Sequence, residues 1–211
     1  MAQKYVSEAV IRRLPRYYRK LCELDAQGIE RISSLELSRE MELNASQIRR
    51  DFNCFGGFGQ QGYGYQVKKL KQELWKILGL DKSYNAVIVG AGNIGRALIN
   101  YTGFAEEGFH IKAIFDINPE IIGKQVEGNT VLSIFDFNEY VQEHAINMGI
   151  ICTPAEVAQD VCDMFVENGI HAVWNFAPSE LKGPEEMTIE NMHLSDSLYI
   201  LAYRMNEACE G

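Results

Sequence analysis

The chain has 211 residues, 46% apolar and 23% charged, a composition that fits a globular protein with a sizeable core and not a disordered or fibrous chain. It contains no run of eighteen apolar residues, and Met1 to Tyr5 carry no apolar leader, so neither a membrane span nor a secretory signal is expected and a cytoplasmic location is. The net charge of −9 argues against a nucleic-acid partner until its distribution is read: residues 1–82 carry 15 Lys and Arg against 10 Asp and Glu, whereas residues 83–211 carry 5 against 19. Such asymmetry predicts two domains with different partners, because a basic face attracts phosphate whatever the total. Cys22, Cys54, Cys152, Cys162 and Cys209 form no C-x-x-C pair, which suits reduced, buried thiols better than a disulfide frame or a zinc site.

The first predicted helix spans Pro15–Ala26, with Leu14, Tyr17, Tyr18, Leu21 and Leu24 at three- and four-residue spacings and Gly28 as the stop. Ser33 and Glu36 match a capping box for a second helix that runs to about Met41. Asn44 can cap a third, Ala45–Phe52, with Gln47 at the reciprocal position. Two short helices joined by a tight turn form a helix-turn-helix pattern, although an ordinary helical bundle reads the same way. Ile48 and Phe52 would face the core, leaving Gln47, Arg49 and Arg50 pointing elsewhere. Gln suits adenine, and Arg suits guanine or phosphate.

Phe55 to Tyr65 packs five glycines and four aromatics into eleven residues, which predicts a short hairpin, a wing beside the recognition helix, with a glycine-rich linker as the alternative. A helix over Val67–Leu78 then buries Val67, Leu70, Leu74 and Leu78, Gly79 ends it, and Asp81-Lys82-Ser83 is the expected domain boundary.

From Asn85 the pattern becomes strand then helix. The run Ala86–Val89 reads as a buried parallel strand leading into Gly90-Ala91-Gly92-Asn93-Ile94-Gly95 and a helical Arg96–Tyr101. A second strand, Ile111–Phe115, ends in Asp116, 21 residues after Gly95. In this context the first glycine makes the turn, the second admits a pyrophosphate and the third packs helix on strand. Asp116 can accept both hydroxyls of an adenine ribose and would repel a 2′-phosphate, which favours NAD over NADP. Coenzyme A is the alternative ligand. Further strands are predicted at Thr130–Ile134, Met148–Cys152 and Ala172–Asn175, with Thr153-Pro154-Ala155 and Asn175-Phe176-Ala177-Pro178 as loops near a nicotinamide. From Ser195 an amphipathic helix places Leu194, Leu198, Leu201, Ala202 and Met205 on one stripe, to be covered by its own domain or by a partner subunit.

Catalysis is not expected. His110 and His171 open predicted strands at the amino-terminal end of the sheet, His144 lies in a helical stretch and His193 precedes the tail helix, so none stands as an obvious proton relay. Little chain remains for a substrate domain. The rival reading is a small NAD-dependent oxidoreductase with a basic appendage.

The Gln-Ile-Arg-Arg-Asp-Phe helix, the Gly-Tyr-Gly-Tyr wing, the Gly90–Gly95 fingerprint and the Asn-Phe-Ala-Pro loop, in this order, resemble the Rex family of redox-sensing repressors over essentially the whole chain. The fold class this implies is α/β: a winged helix-turn-helix DNA-binding domain (1–82), a Rossmann-like parallel-sheet NAD(H)-binding domain (83–193) and a C-terminal exchanged helix (194–211). The resemblance further implies a cytoplasmic homodimer that binds inverted-repeat operator DNA when NAD⁺ prevails and releases it when NADH binds, with no catalytic residue and no metal. Ser46, Gln47, Arg49 and Arg50 match positions at the major groove, and Gly62 and Tyr63 match the wing. Gly90, Ala91, Gly92, Asn93, Ile94, Gly95 and Asp116 match pyrophosphate and ribose positions. Tyr101, Thr153, Pro154, Asn175 and Phe176 match positions around the nicotinamide. Arg19, Tyr101, His193, Leu194, Leu198 and Leu201 match the dimer and switch positions. Two departures stand out. Gln61 occupies a place where relatives often carry Lys or Arg, and His193 one where several carry an Asp paired across the dimer with the arginine matching Arg19.

Overall fold

The computed structural model describes residues 6–59, 63–126 and 128–210. The chain divides into two units, one ending at Lys82 and the other beginning at Ser83.

The first unit is a small helical body. It comprises α1 (Glu8–Ile11), α2 (Leu14–Ala26), β1 (Arg31–Ile32), α3 (Ser34–Met41), α4 (Ala45–Asn53), β2 (Tyr65–Gln66) and α5 (Val67–Ile77). Its core is the set that the helical spacing picks out: Leu14, Tyr17, Leu21 and Leu24 of α2 meet Leu37, Ile48, Phe52, Val67, Leu70 and Leu74. Phe52 is the hub, edge-on to Tyr17 at 5.0 Å, to Tyr65 at 5.2 Å and to Phe58 at 6.2 Å. Rings in this arrangement gain from their quadrupoles in addition to the area they bury. The capping box of α3 is complete, Glu36 N–H donating to Ser33 Oγ (3.1 Å) and Ser33 N–H to Glu36 Oε2 (2.7 Å). Asn44 caps α4 through Ser46 N–H (2.8 Å). Gln47 does not complete a second box there. It turns forward one helical turn and donates from Nε2 to the carboxylate of Asp51 (2.9 Å), a charge-assisted bond.

Of the expected hairpin over residues 55–65, residues 60–62, Gln61 and Gly62 among them, lie outside the described residues. The regular strand in this stretch, β2, pairs antiparallel with β1, Arg31 opposite Gln66 and Ile32 opposite Tyr65, and not with Phe55–Phe58. The partner is therefore the segment just before α3.

The second unit is a seven-stranded sheet in the order β5-β6-β4-β3-β7-β8-β9, formed by β3 (Tyr84–Val89), β4 (Phe109–Asp116), β5 (Gln125–Val126), β6 (Asn129–Ser133), β7 (Met148–Ile151), β8 (Ala172–Asn175) and β9 (Thr188–Asn191). All neighbours are parallel except β5, which is antiparallel to β6. Strand β3 shows why the sheet is covered on both faces. Its alternate residues Val87 and Val89 join one core with Ala158, Cys162 and Phe165 of α9 (Ala155–Glu167) and with Phe137 of α8 (Phe137–Glu143). Ala86 and Ile88 join the other, with Leu98 and Ile99 of α6 (Asn93–Ile99). This is the doubly wound arrangement, in which the connections after β3 and β7 leave toward opposite faces and open a crevice at the carboxyl edge between them. A short α7 (Gly103–Glu106) precedes β4, and α10 (Asp196–Glu210) closes the described chain.

Helix α6 begins at Asn93, three residues before the predicted start, so Gly95 lies inside its first turn. The edge strand β9 has no counterpart in the sequence reading.

Candidate nucleotide cleft and nucleic-acid interface

The crevice is built by close backbone approach. Gly90, which follows β3 at φ +105°, accepts no side chain: a Cβ there would stand 2.5 Å from the carbonyl oxygen of Cys152. A Cβ on Gly95 would stand 2.0 Å from the carbonyl of Gly90, so this glycine lets α6 lie against the turn. Gly92, the N-cap of α6, differs, since a Cβ on it would meet nothing within 4 Å. The loop therefore bares its backbone to an open volume at a helix N-terminus, as an incoming phosphate requires.

Asp116, at the end of β4, stands beside this loop. Its Oδ2 accepts from Ala91 N–H (2.7 Å) and its Oδ1 from Asn118 N–H (2.8 Å), which fixes the carboxylate before any ligand arrives. Each oxygen keeps a lone pair for a ribose hydroxyl. Arg96, absent from the sequence expectations, donates from Nε to Ala91 O (2.7 Å) and brings a guanidinium to the glycine loop. Ile117 and Phe135, 69% and 83% exposed just past β4 and β6, are also new, and they place two bare apolar surfaces at the same edge.

On the far side of the crevice Thr153 follows β7, and its Oγ1 is buried with no hydrogen-bond partner; Ser179 Oγ, four residues beyond β8, is in the same state. A buried hydroxyl left without a partner is costly, and a ligand in the crevice is a natural means of satisfying it. The residues present thus fit a dinucleotide. Pro154 caps α9. The Cys152 thiol is pushed up to about 12 by burial and stays neutral at physiological pH. Tyr101 leans its ring over Gly103 and edge-on against Phe104 (4.6 Å); Phe104 meets Trp174 (5.7 Å), and Trp174 meets Phe176 (4.6 Å). This ladder brings two expected nicotinamide positions, Tyr101 and Phe176, onto one aromatic scaffold.

Asn175 behaves otherwise. It is fully buried, donates from Nδ2 to Ser179 O (2.7 Å) and Asn191 Oδ1 (2.9 Å), and accepts at Oδ1 from Ala177 N–H (2.9 Å). Its amide shapes the loop after β8 and ties it to β9, with no donor left over for a cofactor. The register Asn175 opposite Asn191 also sets His193 just beyond the carboxyl end of β9, exposed.

In the first unit Arg49 and Arg50 are exposed on α4, and Ser46 and Gln47 are half-buried. Arg49 donates to Ser34 Oγ (2.9 Å), joining α4 to the start of α3. Tyr63 is 68% exposed, and its carbonyl accepts from Arg31 (3.2 Å). Arg31 also lines, with Lys69, Gln66 and the backbones of Gly57, Gly59 and Gly64, a cleft beside the small sheet. The sequence reading had not grouped these residues. Arg19 lines another surface hollow with Arg16, Lys20 and Arg39.

Along the tail the apolar stripe is bare: Leu194, Leu198, Leu201 and Met205 are between 53% and 62% exposed, and residues 196–207 are exposed throughout α10. Among the described residues no cluster of His, Cys, Asp and Glu is placed to hold a metal ion, and no helix is long and apolar enough to cross a membrane.

An arginine-bearing helix-turn-helix unit and a Rossmann-type nucleotide unit on one chain define a nucleotide-responsive DNA-binding protein. Residues 81–179 match the CoA binding domain family, and residues 5–53 match the family described as "Putative DNA-binding protein N-terminus". A redox-sensing transcriptional repressor Rex of Thermoanaerobacter sp. (strain X514) is 53% identical over 96% of this chain and 90% of its own length. Its counterpart in Clostridium acetobutylicum is 51% identical over 97% and 96%. A crystal structure of RSP in complex with β-NAD⁺ and operator DNA superposes with a TM-score of 0.91 at 52% identity, covering 97% of this chain and 94% of that one. RSP in complex with β-NADH gives 0.89 at 49% identity, over 96% and 95%. The chain belongs to the Rex family of redox-sensing transcriptional repressors.

Proposed function

We propose that this chain is a cytoplasmic, homodimeric repressor that grips inverted-repeat operator DNA when NAD⁺ prevails and lets go when NADH binds, and that it catalyses no reaction. The observation that carries this reading is Asp116, locked in place beside a bare glycine cradle on the chain that also displays Arg49 and Arg50 on a capped helix. Gly90, Gly92, Gly95 and the amides that open α6 would hold the pyrophosphate, Asp116 the adenine ribose, and Thr153 with the Tyr101–Phe176 scaffold the nicotinamide end. The ligand supplies a ring that is cationic when oxidised and neutral when reduced, and the site's response to that difference is the signal. The reading needs no thiol chemistry: burial raises the Cys152 pKa, which makes it a poor nucleophile.

Binding without turnover is supported by His110, near the start of β4, and His171, just before β8, both at the sheet edge away from the crevice. The exposed face of α10 is covered in this reading by the second protomer, so that two α4 helices reach successive major grooves about 34–36 Å apart. Transmission to the DNA unit then requires NADH and NAD⁺ to differ in affinity for two arrangements of the dimer, because a ligand shifts an equilibrium only by its differential affinity.

Coenzyme A is the second ligand to weigh, since residues 81–179 match that family. Its ribose carries a 3′-phosphate, which Asp116 would repel.

Fluorescence anisotropy of labelled inverted-repeat duplexes tests the proposal. The expected result is tight binding with NAD⁺ present and stepwise release as NADH is added, with coenzyme A without effect. Binding that ignores NADH, or release driven by coenzyme A, would refute it.

A further inference from the structure

At the inner edge of α4 lies a buried carboxylate. Asp51 is 1% exposed and accepts four hydrogen bonds: Arg13 Nε (2.7 Å), Arg13 Nη2 (2.9 Å), Tyr17 Oη (2.7 Å) and Gln47 Nε2 (2.9 Å). Burial alone would raise its pKa, but the bonds from Arg13, Tyr17 and Gln47 outweigh burial and hold it below the usual carboxylate range. An ionised Asp51 is an acceptor only, so the Gln47 atom facing it must be the amide nitrogen. That leaves Gln47 Oε1 turned outward, where Arg50 Nη2 donates to it (3.3 Å). Since an arginine only donates, both ends of the amide are assigned by chemistry. Residues 47, 50 and 51 are three and four apart on one helix, the spacings at which side chains meet.

This arrangement changes the expectation for Gln47. Reading adenine takes the donor and the acceptor of the amide side by side on one base edge. Here one amide hydrogen is engaged with Asp51 and one lone pair of the amide oxygen with Arg50, so the amide is held between two neighbours on its own helix and is not free to turn both ends onto a base edge.

We propose that Gln47 reads no base: it is a positioning residue through which buried Asp51 fixes the Arg50 guanidinium, and Arg50 reads a guanine. An arginine held in advance loses less rotamer freedom on binding, so the relay contributes to base preference and not merely to folding. The proposal rests on the repressor reading above.

The test uses the full chain with NAD⁺ and a pool of duplexes carrying randomised inverted repeats. Each base pair of the selected site is then substituted singly, for the wild type, Arg50→Ala, Gln47→Ala and the double variant. Arg50→Ala should flatten the preference at one G·C pair by roughly ten-fold or more. Gln47→Ala should flatten the same pair, other pairs should keep their preference, and the double variant should add little, the signature of two residues acting as one unit. Melting temperature and NADH affinity confirm that each variant is folded. The proposal is overturned if Gln47→Ala relaxes an A·T pair that Arg50→Ala leaves intact, if the two effects add, or if Gln47→Ala changes no preference. A wild-type chain that selects no inverted repeat sinks the repressor reading itself, and does so before any variant is made.

Discussion

At the scale of single residues the recognition unit is organised around Asp51, which ties α4 to Arg13 and Tyr17 at the start of α2. Its folded pKa lies below the unfolded value near 3.9. The stabilisation it gives is therefore complete above that value and is lost as pH falls through the lower folded pKa. Asp51→Asn should cost about 1–3 kcal/mol at neutral pH, and the gap in melting temperature to the wild type should narrow as pH drops from 6 toward 3; a gap independent of pH contradicts the assignment. Asp116 makes a second prediction by charge: NADPH should bind at least ten-fold more weakly than NADH in calorimetry, and equal affinities would show that the 2′-position does not meet this carboxylate. Neither environment was fully legible in the sequence. The distance of Asp116 from the fingerprint glycines suggested the role proposed for it, but nothing local announced that Asp51 would be buried, because Arg13 and Tyr17 are 38 and 34 residues away and only packing unites them. The same holds for Asn175, whose amide bonds within the loop after β8 and whose partner Asn191 lies on a strand the sequence hid.

At the scale of elements, what was legible follows apolar periodicity. Strands β3, β4, β6, β7 and β8 and helices α2 to α5 sit within a few residues of their expected places, since each has one face or both in a core. Strand β9, Thr-Ile-Glu-Asn, was missed because an edge strand with alternating half-exposed and exposed residues carries almost no apolar signal. The pairing of β2 with β1 was missed because the glycines and aromatics of residues 55–65 imply a turn without naming the partner. Two outcomes belong to this scale. A Cβ at Gly92 meets no protein atom within 4 Å, so Gly92→Val should leave folding and DNA binding intact, yet its side chain enters the volume open to a pyrophosphate, so NADH should no longer release DNA. Retained release would move the sensor site elsewhere. Leu198→Asp together with Leu201→Asp places charges on the bare stripe of α10 and should shift the protein from dimer to monomer in sedimentation; an unchanged mass would show that the stripe is not the subunit contact.

At the scale of the whole molecule the charge division read at the outset coincides with the division into two units, and in the proposed reading the basic unit supplies the arginines for DNA and the acidic unit the nucleotide cleft. The family explains why the two occur together, and coupling between them is what a redox-sensing repressor requires. Coupling of this kind is a free energy shared by two ligands, so it must act in both directions with the same factor. An almost complete inversion of the bound population would need about 5.5 kcal/mol of differential affinity, and a partial switch less. The most direct measurement is the Kd of the full chain for NADH, taken free and saturated with its operator duplex. The account requires operator DNA to weaken NADH binding by the factor with which NADH weakens DNA binding. An NADH affinity that is the same with and without the duplex would contradict it.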